Sequence, residues 1–160
     1  MKKLYSALLA STLVIGLSTT AVMAHEHNDH STEERIKAAM QTDIRTDAEK
    51  ERDRNRSPVE TLAFFGLEHD MKIVELLPGG GWYTKLLVPT LAEHGEYYAA
   101  IGTGTIKRTL SEEPGFESMQ IIGEDAEIWR EEDSRFYSMK LDSLGVSDVD
   151  IVFTFRNYHN

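Results

Sequence analysis

The part of this sequence best suited to chemistry is an acidic side chain inside an apolar run that ends in glycines: Val74-Glu75-Leu76-Leu77-Pro78-Gly79-Gly80-Gly81-Trp82-Tyr83-Thr84. Glycines at a strand-to-helix turn leave backbone amides bare, so a ligand can come close and the first helical amides can point at its polar groups. The spacing is not the GxGxxG dinucleotide pattern, because Tyr83 and Thr84 stand where its last glycine would be. A carboxylate in an apolar strand is costly unless it is paired. Glu75 therefore either accepts hydrogen bonds as part of the loop's architecture or supports a ligand. A second group, Arg52, Asp53 and Arg56, reads as a salt-bridged helix face or as a lid whose arginine reaches a carboxylate. A third is His25-Glu26-His27-Asn28-Asp29-His30. With cleavage after Ala24, His27 becomes the third residue of the mature chain. Its imidazole, the free amine and two amides can then enclose Cu(II) or Ni(II) in a square plane, with His25 and His30 assisting. The alternative for this stretch is a polar spacer.

The elements around these residues follow from periodicity and punctuation. Ser31 to Arg56 is dense in charge with Ile36, Ala39, Met40 and Ile44 at helical spacing, which predicts a surface helix with a narrow apolar stripe. Ser57-Pro58-Val59-Glu60 predicts a new helix with Ser57 as its cap, Pro58 at the first position and Glu60 completing a capping box. Gly66 is placed to stop it in a left-handed turn. Met71 to Leu77 reads as a buried strand. Trp82 to Glu93 reads as a helix that Pro89 kinks or shortens. Tyr97 to Ile101 is a second strand, Ile106 to Glu113 a short helix, and Phe116 to Ile122 a further strand. Glu124 to Glu132 is ambiguous, Phe136 to Leu141 alternates apolar and polar residues, and Val149 to Phe155 is strongly β-like. Strands separated by helix-length segments predict βαβ units, and so an α/β class with a Rossmann-like parallel sheet and flanking helices. The chain stops just past a central-type strand, so the sheet is expected to be incomplete at the C-terminus, as a fragment or completed by a partner. An open edge after Phe155 invites self-association.

The first 24 residues read as a cleavable signal peptide: Lys2 and Lys3, an apolar stretch from Leu4 to Leu17, then Val22-Met23-Ala24. The run is too short for a stable membrane anchor, so the protein is expected to be periplasmic or secreted. Removing 24 of the 160 residues leaves 136 and takes the formal charge from −10 to −12, since Lys2 and Lys3 are the charged residues lost. Such an acidic chain repels phosphate backbones, which argues against nucleic acid as a partner. With no cysteine, thiol nucleophiles and zinc-thiolate sites are excluded.

The glycine stretch resembles the first motif of class I methyltransferases, which use S-adenosylmethionine (SAM): Glu75 matches the acidic position, and Gly79 and Gly81 match its GxG glycines. More narrowly, three stretches are similar to the exported predicted methyltransferases of bacteria. They are Arg52-Asp53-Arg54-Asn55-Arg56-Ser57-Pro58-Val59-Glu60, Glu75 to Thr84, and Asp150-Ile151-Val152-Phe153-Thr154-Phe155-Arg156-Asn157-Tyr158-His159-Asn160. The resemblance divides the chain into the leader 1–24, a polar, helical segment 25–45, and the N-terminal part of a methyltransferase-like domain over 46–160. It implies a cofactor site at Glu75, Pro78, Gly79, Gly80 and Gly81, with the glycines under the methionyl part of SAM. It implies an adenine contact from Asp142 after the third sheet strand, where a simple turn residue is the alternative. Thr103 stands where the family's second strand ends in an acidic residue for the ribose. Asn157 and His159 would face the methyl donor and a small-molecule acceptor, Asn orienting a nucleophile and His acting as base. A solvated tail is the alternative for both. A non-catalytic periplasmic module holding another small ligand in the same loop is the competing function.

Overall fold

A computed structural model describes residues 31–157. The expected signal peptide, His25, His27, His30 and His159 lie outside that range.

The charged N-terminal region forms three short helices instead of one. α1 (Thr32–Met40) opens on a capping box between Ser31 and Glu34 and buries Ile36 and Ala39. A second capping box, Thr46 with Glu49, starts α2 (Asp47–Glu51), and α3 (Asp53–Arg56) follows directly. The break has a local cause: each capping box turns the chain inward and satisfies the amides that a continuous helix would have used. Ser57 is not the expected cap. It sits in the left-handed region at φ 39°, ending α3 while α4 (Pro58–Phe64) begins, and its side chain makes no cap bond. A residue before proline is disfavoured in the right-handed helical region. Gly66, at φ 74°, stops α4 as the sequence suggests.

β1 (Lys72–Leu76), β2 (Glu96–Ala100), β3 (Met119–Ile122) and β6 (Ile151–Phe153) form one parallel sheet in the order β3-β2-β1-β6. This is a Rossmann-like α/β arrangement. α5 (Thr84–Leu91) joins β1 to β2 and runs through Pro89, ending two residues beyond it; α6 (Gly104–Leu110) joins β2 to β3. Alternation along the strands divides two faces. Ile73, Tyr97, Ala99 and Phe153 pack with Leu62, Leu86, Leu87, Ile106 and Leu110 beneath the helices. Val74, Ala100 and Ile101 face the other way, under Leu141, Leu144, Val146 and Val149 of the irregular crossing from β3 to β6.

The stretch Glu124 to Leu141 contributes no strand to this sheet. β4 (Glu127–Trp129) and β5 (Ser138–Lys140) pair antiparallel as a separate exposed hairpin. Asp142 therefore follows the hairpin, whereas the third strand of the sheet, β3, runs into Gly123-Glu124-Asp125. Alternation in Phe136 to Leu141 signals a strand without saying which partner it takes. Among the described residues, β6 has a neighbour only on its β1 side, and no helix is long and apolar enough to cross a membrane.

Candidate functional site

In a parallel sheet, ligands sit outside the carboxyl ends of the strands where the chain order reverses. Here that point lies between β1 and β6. A cleft of about 360 Å³ opens there, lined in part by Glu75, Pro78, Gly79, Gly80, Tyr83 and Asn157. The backbone just past three of the strands is unusual, and two of these positions, Leu77 and Arg156, line the cleft. Leu77 (φ 53°), Ile101 (φ 62°) and Arg156 (φ 62°) are non-glycine residues in the left-handed region, just past β1, β2 and β6. Each such residue costs on the order of 1–3 kcal/mol, and strain of this kind gathers at functional sites.

The glycines do different things. A Cβ added at Gly79 or Gly80 would meet nothing within 4 Å, so these residues leave open space along the cleft. Gly81 is buried, and a Cβ there would lie 2.8 Å from Ile106 Cγ2 and 3.1 Å from Leu110 Cδ1. Its absent side chain lets the loop dock on α6, so Gly81 shapes the site from beneath.

Glu75 is 2% exposed. Its Oε2 accepts hydrogen bonds from Tyr97 Oη at 2.5 Å and Thr84 Oγ1 at 2.8 Å, and the two hydroxyls lie 3.2 Å apart. Burial pushes its pKa up to about 7 against the pull of those two donors. Tyr97 is in turn raised well above its ordinary value by burial and by the Glu75 charge. Both bonds fall on Oε2, and among the described residues Oε1 has no donor. Glu75 thus has two roles: it ties β1 to β2 and α5, and it presents an acid near its midpoint at neutral pH on the cleft floor.

Asn157 donates from Nδ2 to Leu77 O at 3.2 Å and to Thr154 Oγ1 at 3.4 Å, bridging the ends of β1 and β6. Tyr83 stacks on Phe155, ring centroids 3.5 Å apart and planes within 13°, making an aromatic wall. The α2–α3 segment is fastened over the cleft. Arg45, 2% exposed, grips Asp53 with both Nη atoms at 2.5 and 2.9 Å and Met40 O at 2.9 Å. Trp82 Nε1 donates to Glu49 O at 3.0 Å. Lys85 Nζ meets the Glu49 carboxylate at 2.9 Å. Burial opposes that carboxylate, yet Lys85 and the Thr46 amide hold its pKa below the usual range. Of the group Arg52, Asp53 and Arg56, the aspartate is committed to Arg45 while both arginines line the cleft.

The structure thus gathers Glu75, Pro78, Gly79, Gly80 and Asn157 around one cleft, with Gly81 beneath it. Thr103 is buried at the start of α6 and makes no capping bond there; neither it nor Asp142 lines the cleft. Phe155 and Arg156 join the site without having been singled out. Tyr97 is the partner of Glu75 that sequence reasoning missed, since only strand pairing brings it across. Among the described residues no three His, Cys, Asp or Glu side chains gather to hold a metal ion. No protein-family model, curated protein or solved structure matches the chain.

Proposed function

We propose that this protein is an exported, SAM-dependent methyltransferase-type protein acting on a small-molecule acceptor. The observation that carries the reading is the bare backbone at Gly79 and Gly80, beside a cleft at the crossing point of β1 and β6. The residues present fit the cofactor in three respects: glycines that leave space for it, an acid at the end of the first strand, and an asparagine at the end of the fourth. SAM, when bound, supplies an electrophilic methyl group on a sulfonium, so transfer depends on alignment more than on strong acids or bases.

The chain's own residues would act as follows. Gly79 and Gly80 let the methionyl part lie against the main chain, and Glu75 fixes the turn through Thr84 and Tyr97. Asn157, anchored by Nδ2 on Leu77 O, would use its Oδ1 to accept a hydrogen bond from the O–H or N–H of the methyl acceptor. His159 is the base this reading assigns. The Tyr83–Phe155 stack excludes water from one wall.

Isothermal titration of the purified protein with SAM tests the assignment. Saturable heat is expected, and none at millimolar ligand would end it. A non-catalytic binding module in the same cleft is the second reading, favoured by the lack of a carboxylate in Ile101-Gly102-Thr103 after β2. No SAM heat, with saturable heat from another small molecule in a broad panel, would select it. N-terminal sequencing of the exported protein is expected to begin at His25.

A further inference from the structure

The chain carries a formal charge of −10, yet the mouth of its cleft is lined by three arginines, Arg52, Arg56 and Arg156. Their placement is built. Arg56 lies over the Trp82 ring at 4.3 Å and over the Tyr83 ring at 5.7 Å, a stacking that orients the guanidinium and leaves its edge donors for a planar anion. Arg156 occupies a left-handed backbone position just past β6. Burial depresses the Arg56 pKa, and the charges of Arg156 and Arg52 depress it further, although Tyr83 and Asp53 oppose this.

The carboxylates nearby are already engaged. Glu49 is held by Lys85, Asp53 by Arg45, and Glu75 by Tyr97 and Thr84. The Arg52 and Arg56 guanidiniums repel one another, an anion held between them would relieve that repulsion, and low-dielectric walls focus their field outward.

We propose that Arg52 and Arg56, at the mouth of the cleft, form an oxyanion site that receives a carboxylate or phosphate group of the cleft's ligand. This rests on the cleft being the ligand site, and it specifies what that ligand carries. Two sources share the chemistry: the methionyl carboxylate of SAM and an oxyanion on the acceptor. SAM is a net cation, so its own carboxylate would have to outweigh the repulsion of its sulfonium and ammonium. The acceptor's oxyanion meets no such opposition.

The test uses the full protein with Trp129→Phe, which leaves Trp82 as the fluorescent reporter beneath Arg56, titrated with inorganic phosphate. A saturable change in emission at millimolar phosphate is expected. Arg52→Gln removes an exposed side chain and leaves the fold intact, and it should weaken the response at least roughly 10-fold, about 1.4 kcal/mol. Arg56→Gln should do the same, and Lys107→Gln, which removes a cation that pairs with Glu124 and does not line the cleft, should leave it unchanged. Phosphate competition with SAM that is absent with decarboxylated SAM assigns the site to the methionyl carboxylate. Phosphate binding beside bound SAM assigns it to the acceptor. Phosphate binding with no SAM heat retains the oxyanion site and removes the donor assignment. No saturable phosphate response, or an equal response in Arg52→Gln and Arg56→Gln, overturns the proposal.

Discussion

Replacing Gly80 with alanine adds one methyl group where the free protein has room for it and a bound ligand would not. Gly80 has an ordinary backbone conformation, and a Cβ there meets no heavy atom within 4 Å. The folded state therefore bears no strain, while the unfolded chain loses freedom, giving a gain of about 0.4–1 kcal/mol. For a domain of this size that is a Tm rise of roughly 1–5 °C. A ligand lying on the loop would collide with the methyl at a cost of about 1–3 kcal/mol, which is roughly 5- to 150-fold in Kd. Gly81→Ala is the contrast. Its φ of 79° and its 2.8 Å approach to Ile106 Cγ2 strain the fold itself, so a loss of about 2–4 kcal/mol in stability is expected. Thermal denaturation and SAM titration of the two variants separate binding from folding. Wild-type SAM affinity in a stable Gly80→Ala protein would refute the idea that the ligand rests on this amide. A destabilised Gly80→Ala would refute the openness of the loop.

The buried acid predicts a pH dependence of stability. With a folded pKa of about 7 against an ordinary 4.5, Glu75 takes up a proton on folding between these values. Its favourable contribution is complete below pH 4.5 and is lost as the pH rises through 7, a span of about 3 kcal/mol. Chemical denaturation of wild type and Glu75→Gln across pH 4.5–8 should show their difference moving in favour of the glutamine protein as pH rises; a constant difference would contradict the assigned shift. Arg45→Met strands the Asp53 carboxylate and unfastens α3, with an expected loss of about 3–5 kcal/mol in stability; a loss below about 1 kcal/mol would show that the pair does not hold the segment. On β6, Val152 is 55% exposed beside an edge with no neighbour among the described residues. Concentration-dependent sedimentation is expected, and Val152→Lys should reduce it. Monomeric behaviour of the wild type at every concentration would remove the self-association expected of that edge.

What could be read in the sequence was whatever its local pattern decides. β1, β2, β3 and β6 fall close to Met71 to Leu77, Tyr97 to Ile101, Phe116 to Ile122 and Val149 to Phe155, because apolar β-rich runs between glycine-bearing turns have few other uses. The glycine loop was legible for the same reason. What escaped was decided across the chain. Thr46 and Glu49 interrupt a helix that hydropathy alone would continue, and an alternating Phe136 to Leu141 pairs with β4 when it could as well have joined the sheet. The Glu75 site shows the limit most clearly. A carboxylate in an apolar strand announces that some donor must meet it, but Tyr97 stands 22 positions away and reaches it only after β1 and β2 pair in parallel with Glu75 opposite Ala99. Arg52 and Arg56 read as half of a salt-bridged face because Asp53 lies between them. Arg45 takes that aspartate instead, and the two arginines are left at the cleft. The charge available to a ligand is thus set by which partner wins each carboxylate, a competition settled in three dimensions.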